Sequence, residues 1–93
     1  MTEPLMMIRG NLINGERAYI GNINENDIIS YKVKGNWIYS VVIGTTPTMI
    51  KVYDLKLENT EEGIKLYRRE DKNEITKCLI KPSRKIFHVK INL

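Results

Sequence analysis

Alanine, glutamine, cysteine and histidine are almost missing from this sequence. Ala18, Cys78 and His88 are the single representatives of their types, and there is no glutamine. Alanine and glutamine are good helix formers, so their scarcity argues against a helical protein. A lone cysteine excludes an intramolecular disulfide, and one cysteine with one histidine cannot supply a four-ligand zinc site. We therefore expect no metal and no cofactor.

Long apolar segments are also missing. The apolar runs are short, as in residues 37–39 and 41–43, whereas a transmembrane helix needs about 20 apolar residues. The N-terminus has neither the charged leader nor the apolar region of a signal peptide. The sequence thus predicts a protein of the reducing cytoplasm with no membrane partner. Its 14 isoleucines, 9 asparagines and 10 lysines are typical of an AT-rich genome, such as that of a virus or plasmid.

β-Branched residues, in contrast, are abundant, since 25 of the 93 residues are isoleucine, valine or threonine. This composition is typical of strands. Turn-forming residues delimit eight predicted strands, which span residues 5–13, 16–23, 28–34, 37–43, 49–57, 64–69, 74–81 and 86–93. Eight short strands in an open sheet would leave exposed edges. We therefore predict one all-β domain over residues 1–93, a small closed barrel of antiparallel strands built from hairpins.

Three turns are expected to close hairpins. The dipeptide Asn14-Gly15 is the strongest short hairpin signal, and Gly35-Asn36 is a second two-residue loop. Residues 82–85 predict a third turn, before the final strand. Gly10 interrupts the first predicted strand and indicates a bend or a bulge there.

The Gly35-Asn36 loop fixes the pairing of the central hairpin. With that loop, Lys34 faces Trp37 and Lys32 faces Tyr39, so two ammonium groups lie opposite two large aromatic rings on one face. The other face is nearly apolar and is assigned to the core; it comprises Ile29, Tyr31, Val33, Ile38, Ser40 and Val42. The face with the lysines could stack an unpaired base on an aromatic ring while the lysines meet phosphates.

Two other interpretations of this face remain open. In the first, the lysine stems simply cover the rings in exposed cation–π contacts. Alternatively, the face binds a protein. Apolar residues on faces otherwise assigned to solvent favour this alternative, and they are Ile28, Val41, Ile43 and Ile86. A homodimer would be one form of such a partner.

Charge is distributed unevenly along the chain. Residues 1–62 carry a formal net charge of −2, whereas residues 63–93 carry +6. A basic segment favours anionic partners such as nucleic acid, although lysine also keeps edge strands soluble. The cations that we assign to nucleic-acid binding in this segment are Arg68, Arg69, Lys77, Lys81, Arg84 and Lys85, the last four on an expected C-terminal hairpin.

Residues 27–54 resemble the Tudor and Src-homology-3 small barrels. The resemblance rests on Tyr31, the turn Gly35-Asn36, the strand 37–42 and the later strand 50–54 that ends in an acid. In Tudor domains an aromatic cage grips methylated lysine or arginine. By position, the resemblance implies Trp37 and Tyr53 as cage members, with Tyr31 or Tyr39 as a third.

No catalytic motif is present. The only thiol and imidazole, Cys78 and His88, fall on opposite faces if a hairpin closes at Lys81 and Ile86. No glycine-rich phosphate loop is found. We therefore expect a non-enzymatic binding module that takes nucleic acid through Lys32, Lys34, Trp37, Tyr39 and the basic C-terminal segment, or else a protein-interaction or dimerisation module.

Overall fold

The computed structural model describes residues 3–71, 74–75, 77–81 and 83–92. The described residues form ten strands and no α-helix. The strands are β1 (Met6–Ile8), β2 (Asn11–Arg17), β3 (Ile28–Val33), β4 (Asn36–Thr45), β5 (Ile50–Thr60), β6 (Gly63–Arg68), β7 (Glu70–Asp71), β8 (Glu74–Ile75), β9 (Lys77–Ile80) and β10 (Ile86–Asn92). The prediction of an all-β protein is confirmed.

Eight of these strands form one antiparallel sheet that curls into a half-barrel. Its order is β1-β6-β5-β4-β3-β10-β2, and β9 pairs with the first half of β5. The two ends of this order, β1 and β2, are separated in the chain only by Arg9 and Gly10. The sheet must curl until those ends approach each other. Gly10, with φ of 135°, provides the bend that the sequence predicts there.

The central strands are buried on both faces, which explains why they do not alternate between apolar and polar residues. Residues 29–31 of β3 and residues 40–42 of β4 are all buried. One face carries the main cluster, made of Ala18, Ile23, Ile29, Tyr31, Val42, Ile50, Val52, Ile80 and Ile86. The opposite face carries a second cluster built on Ile8, Val41, Leu55 and Leu66.

The predicted turn at Asn14-Gly15 is wrong, because both residues lie inside β2. β2 pairs with β10 instead of folding back on itself. The Asn14 side chain accepts a 2.6 Å hydrogen bond from the buried Ser30 hydroxyl. Gly15 leaves room for Lys90, whose side-chain carbons would lie 2.7 Å from an added Cβ. Both residues therefore serve strand packing rather than a turn.

The central hairpin forms, but its loop is Lys34-Gly35 rather than Gly35-Asn36. Lys32 consequently pairs with Trp37, and Val33 with Asn36. Lys34 has φ of 49° and Gly35 has φ of 83°, as a type I′ turn requires. The pairing is displaced by two residues from the predicted one, so every side chain keeps its predicted face. The apolar face is the core face, as predicted.

The predicted C-terminal hairpin is also wrong. β9 pairs with β5, whereas β10 pairs with β3 and β2. Ile80 and Ile86 are both buried in the main cluster, on strands that pair with β5 and β3 respectively, so β9 and β10 do not form a hairpin with each other. Between β9 and β10 the Arg84 amide donates to the Lys81 carbonyl. Residues 72–73 and 82, which belong to predicted turns, lie outside the described residues.

Substituting Lys34 by Asn should stabilise the protein. A lysine with positive φ is strained, whereas Asn-Gly is the preferred type I′ sequence. We expect the free energy of unfolding to rise by about 0.5–1 kcal/mol in a denaturant titration. Lys34→Gln removes the same charge without favouring positive φ and should leave stability unchanged. Equal gains in both variants would contradict the turn assignment.

Gly63→Ala should be strongly destabilising. Gly63 has φ of 138°, and a Cβ at this position would overlap the Ile8 carbonyl oxygen where β1 meets the β5–β6 turn. Backbone strain and overlap together should cost about 2–4 kcal/mol. Gly21→Ala is the matched control, because nothing lies within 4 Å of an added Cβ there. Similar melting temperatures for the two variants would show that the close approach is absent.

Candidate nucleic-acid interface

Trp37 is an exposed aromatic ring near the tip of the central hairpin. Its side chain is 42% exposed. The Lys32 ammonium lies 5.6 Å from the centroid of the indole. Phe87 of β10 meets the same indole edge to face, with the ring centroids 5.9 Å apart. The ring therefore contacts Phe87 at one side and has the Lys32 ammonium over one of its faces.

Phe87, which contacts Trp37, also lies beside β2. Phe87 pairs with Arg17 across the two strands. The Arg17 guanidinium lies 5.5 Å from the ring centroid of Tyr19, which is 53% exposed. The buried Nε of Arg17 has no hydrogen-bond partner among the described residues. We call this set, formed by Lys32, Trp37, Phe87, Arg17 and Tyr19, the aromatic strip.

Sequence reasoning found two of the five residues of the strip. Lys32 and Trp37 were predicted to share a solvent-facing surface, and they do. Arg17, Tyr19 and Phe87 were missed, because their proximity depends on the pairing of β10 with β2. The alternation of apolar and polar residues in β10 signalled its strand character but gave no indication of its neighbours.

Tyr39 and Lys34 lie apart from the strip's rings. Tyr39 is half-buried and packs on the second apolar cluster, so the expectation of an exposed Tyr39 facing Lys32 is wrong. The cause is the curl of the sheet, which folds β1 and β2 over that part of the face. Lys34 is exposed in the hairpin turn, two residues along the chain from Lys32.

The basic C-terminal residues divide into two groups. Arg68 and Lys77 both lie over Tyr53, at 5.3 Å and 5.7 Å from its ring centroid. Lys81 and Arg84 line a cleft on the opposite face of the sheet, where the Arg84 guanidinium lies 5.4 Å from the Tyr31 ring centroid. The remaining two residues, Arg69 and Lys85, are exposed.

Of the cage members that the Tudor resemblance implies, Tyr31 lies apart from the others. Tyr31 belongs to the main cluster, on the opposite face of the sheet from Trp37 and Tyr39. Tyr53 shares a face with Trp37, but Arg68 and Lys77 lie over its ring. The resemblance to the barrel family itself stays a prediction.

A buried polar network joins four strands beneath the cleft. Asp54 is 8% exposed, and its Oδ1 accepts hydrogen bonds of 2.8 Å from the hydroxyls of Tyr31 and Ser40. Its Oδ2 accepts a 3.3 Å bond from the Cys78 thiol. These contacts satisfy a carboxylate that would otherwise be costly to bury. Sequence reasoning did not predict this network. Its four members nevertheless lie at alternate positions of their strands, on the same face of the sheet.

Burial raises the pKa of Tyr31 to about 12; the Ser40 hydroxyl opposes this increase, and Asp54 adds to it. Burial also raises the pKa of the Cys78 thiol, with a further contribution from Asp54 and an opposing one from Arg69. Tyr31 and Cys78 are therefore protonated donors at neutral pH. His88 lies on β10 opposite Ile29 of β3, whereas Cys78 lies on β9 opposite Val52 of β5 and donates to Asp54.

The described part of the chain holds no cluster of three or more histidine, cysteine, aspartate or glutamate side chains that could bind a metal ion. It also has no helix that is long and apolar enough to cross a lipid bilayer. Compared with protein-family models, with curated proteins and with solved structures, the chain matches none of them.

Tyr31 should ionise only at strongly alkaline pH, because burial raises its pKa to about 12. We expect one phenol to titrate near pH 12 in the ultraviolet absorbance of tyrosinate, and Tyr31→Phe should remove that step. The pKa is higher in the folded state, so the native protein retains a proton that the unfolded chain has lost. Stability should therefore fall as the pH rises from 10 through 12. A step near pH 12 that persists in Tyr31→Phe would contradict the network.

Proposed function

We propose that this protein is a non-enzymatic binding module for single-stranded nucleic acid, which it holds along the aromatic strip. The single observation that supports the proposal most is the exposed Trp37 ring beside Lys32 and Phe87. An unpaired base can stack on such a ring regardless of its sequence, whereas bases within a duplex present no free face.

The magnitudes favour stacking over the resting cation–π contact. An exposed lysine over an aromatic ring contributes about 0.5–1 kcal/mol, whereas a stacked base contributes about 1–3 kcal/mol. A base can therefore displace the Lys32 ammonium from the indole. The displaced ammonium stays within reach of the phosphate that accompanies the base. A base can displace the Arg17 guanidinium from the exposed Tyr19 ring in the same way.

The surrounding charge supports an anionic ligand. The chain carries a net charge of +4, and one of its cations, Lys34, lies in the turn of the hairpin that carries Trp37. Such a field attracts a phosphate backbone through a sequence-independent and salt-dependent interaction. We assign Lys85 and the pair over Tyr53, Arg68 and Lys77, to this long-range attraction rather than to base stacking.

We place the protein in the cytoplasm. Cys78 is a free thiol that donates to Asp54, and this hydrogen bond requires a reduced cysteine. A reducing compartment preserves that state.

A partner protein is the second candidate. Of the four apolar residues that favoured it in the sequence, Val41 and Ile86 are buried and Ile28 and Ile43 are half-buried, so that reason no longer holds. One observation still favours it. Leu79 of β9 is 61% exposed, and β9 pairs only with β5 among the described strands. A salt-resistant dimer in sedimentation, indifferent to nucleic acid, would support this candidate.

The test is the affinity for a short oligothymidine at several salt concentrations. Trp37→Leu keeps apolar volume against Phe87 but removes the ring, and should weaken binding by about 5- to 150-fold. Trp37→Phe keeps a ring and should bind nearly as wild type does. Lys32→Gln should reduce the slope of log affinity against log salt by about 0.7.

Tyr67→Ala is the control for loss of an aromatic ring, since Tyr67 lies on β6, away from the strip. It should leave the affinity unchanged. Absence of binding at low salt, or equal affinity of the wild type and Trp37→Leu, would overturn the proposal.

A further inference from the structure

A cleft of about 700 Å³ opens on the face of the sheet opposite to the aromatic strip. Its described lining residues come from three regions, namely the end of β3, the middle of β5 and the segment from β9 toward β10. They are Tyr31, Val33, Asp54, Cys78, Leu79, Ile80, Lys81, Ser83 and Arg84. Apolar walls with a few polar groups are typical of small-ligand sites.

The floor of the cleft is the Asp54 carboxylate. Among the described residues, its Oδ1 accepts two hydroxyl donors, whereas its Oδ2 accepts only the thiol of Cys78. A thiol is a weak donor, and a carboxylate oxygen can accept two hydrogen bonds. The Oδ2 atom therefore retains acceptor capacity toward the cleft. A ligand that reaches the floor must present N–H or O–H donors.

One wall of the cleft is aromatic. The Tyr31 ring lies beneath the Arg84 guanidinium, and Val33 and Ile80 provide apolar surface beside it. A flat ring inserted here can stack on the phenol in place of the guanidinium or beneath it. Arginine planes and tyrosine rings are common stacking partners of unpaired bases.

The rim of the cleft is cationic. Lys81 and Arg84 line its mouth. Arg69 is close enough to lower the pKa of the Cys78 thiol, and its amide donates to the Asp54 carbonyl. The cleft therefore combines one buried negative charge at the floor with positive charges at the entrance.

This arrangement selects the charge distribution of the ligand. A simple cation would be attracted by Asp54 but repelled by the cationic rim. A simple anion would be attracted by the rim but repelled by Asp54. A nucleotide avoids both conflicts, because its neutral base can donate hydrogen bonds at the floor while its phosphate lies at the rim. Among the bases, guanine presents two adjacent donors, the N1–H and the exocyclic amine, and both can bind the Oδ2 atom when the weak Cys78 thiol donor turns away from it. Adenine, cytosine and uracil each place an acceptor beside their donor, where it would face the carboxylate.

We propose that this cleft binds a guanine nucleotide, with the Watson–Crick edge of the base on Asp54, the ring against Tyr31 and the phosphate near Lys81 and Arg84. The inference rests on the proposed function, since it adds a base-selective subsite to a strip that stacks any base. The two surfaces lie on opposite faces of the hairpin β3–β4, so a strand would have to pass the Lys34-Gly35 turn to reach both.

The first experiment changes only the ligand. Wild-type protein is titrated with oligothymidine strands that carry one central guanine, hypoxanthine or adenine. Hypoxanthine keeps the N1–H but lacks the amine, so guanine should bind about tenfold more tightly than either substitute. The comparison is repeated with free guanosine and inosine monophosphates. A guanine preference in both series identifies the free nucleotide as a ligand, and a preference in strands alone identifies a base within a strand.

The second experiment changes the floor. In Asp54→Asn, the amide oxygen can still accept from Tyr31 and Ser40, but an N–H group replaces the free acceptor. This variant should bind strands with guanine and strands with hypoxanthine about equally well. Its affinity for plain oligothymidine should stay that of the wild type. Glu58→Gln makes the same chemical change at an exposed residue of β5 and should keep the preference. If Asp54→Asn does not fold, the ligand series with wild-type protein decides alone.

The outcomes separate the two proposals. Strand binding that needs Trp37 but shows no preference for guanine over hypoxanthine would overturn the cleft assignment and leave the strip intact. A guanine preference that survives in folded Asp54→Asn would also overturn the assignment. Binding of guanosine monophosphate without any strand binding would support the cleft and overturn the strip. Binding of neither ligand would overturn both.

Discussion

The architecture depends on burying both faces of the three central strands. Two apolar clusters lie on opposite faces of β3, β4 and β5, and each must be shielded from solvent by other segments of the chain. The bent N-terminal strand pair β1 and β2 covers one, while β9, β10 and residues 18–23 cover the other. A 93-residue chain can accomplish this only by curling its sheet until the terminal strands return to the centre.

This curl also determines which side chains remain available for binding. Along β4, Tyr39 and Val41 fall under the cover of β1 and β2, whereas Trp37, nearer the hairpin tip, extends beyond that cover and stays exposed. The pairing of β10 with β3 and β2 then adds Phe87 and Arg17 beside it. The aromatic strip is therefore exposed because the second cluster, with its cover of β1 and β2, ends before Trp37.

Polar groups inside the main cluster impose a further constraint. Tyr31, Ser40 and Cys78 come from three different strands, and all three donate to Asp54 on a fourth. A buried carboxylate with so many partners fixes the relative positions of those strands, because removal of any donor leaves an acceptor poorly satisfied. The same hydrogen bonds hold the Asp54 carboxylate, a hydrogen-bond acceptor, at the floor of the cleft.

By itself, the sequence determined the local properties of this protein. Its β-branched composition and regular turn signals specified an all-β chain, and period-two alternation correctly assigned the two faces of the central hairpin, even with the loop displaced by two residues. Gly10 correctly marked a bend. These properties depend on backbone preferences within a few residues, which a sequence displays directly.

Only the tertiary structure decided which strands are neighbours. Asn14-Gly15 has the composition of a turn, yet it lies within β2 because Ser30 and Lys90, distant in the chain, pack against it. β9 joins β5 rather than β10, and both Ile80 and Ile86 are buried in the common core, where apolar burial is favourable. Contacts between distant segments depend on the free energy of the whole packed core, and neither the strip nor the cleft exists without them.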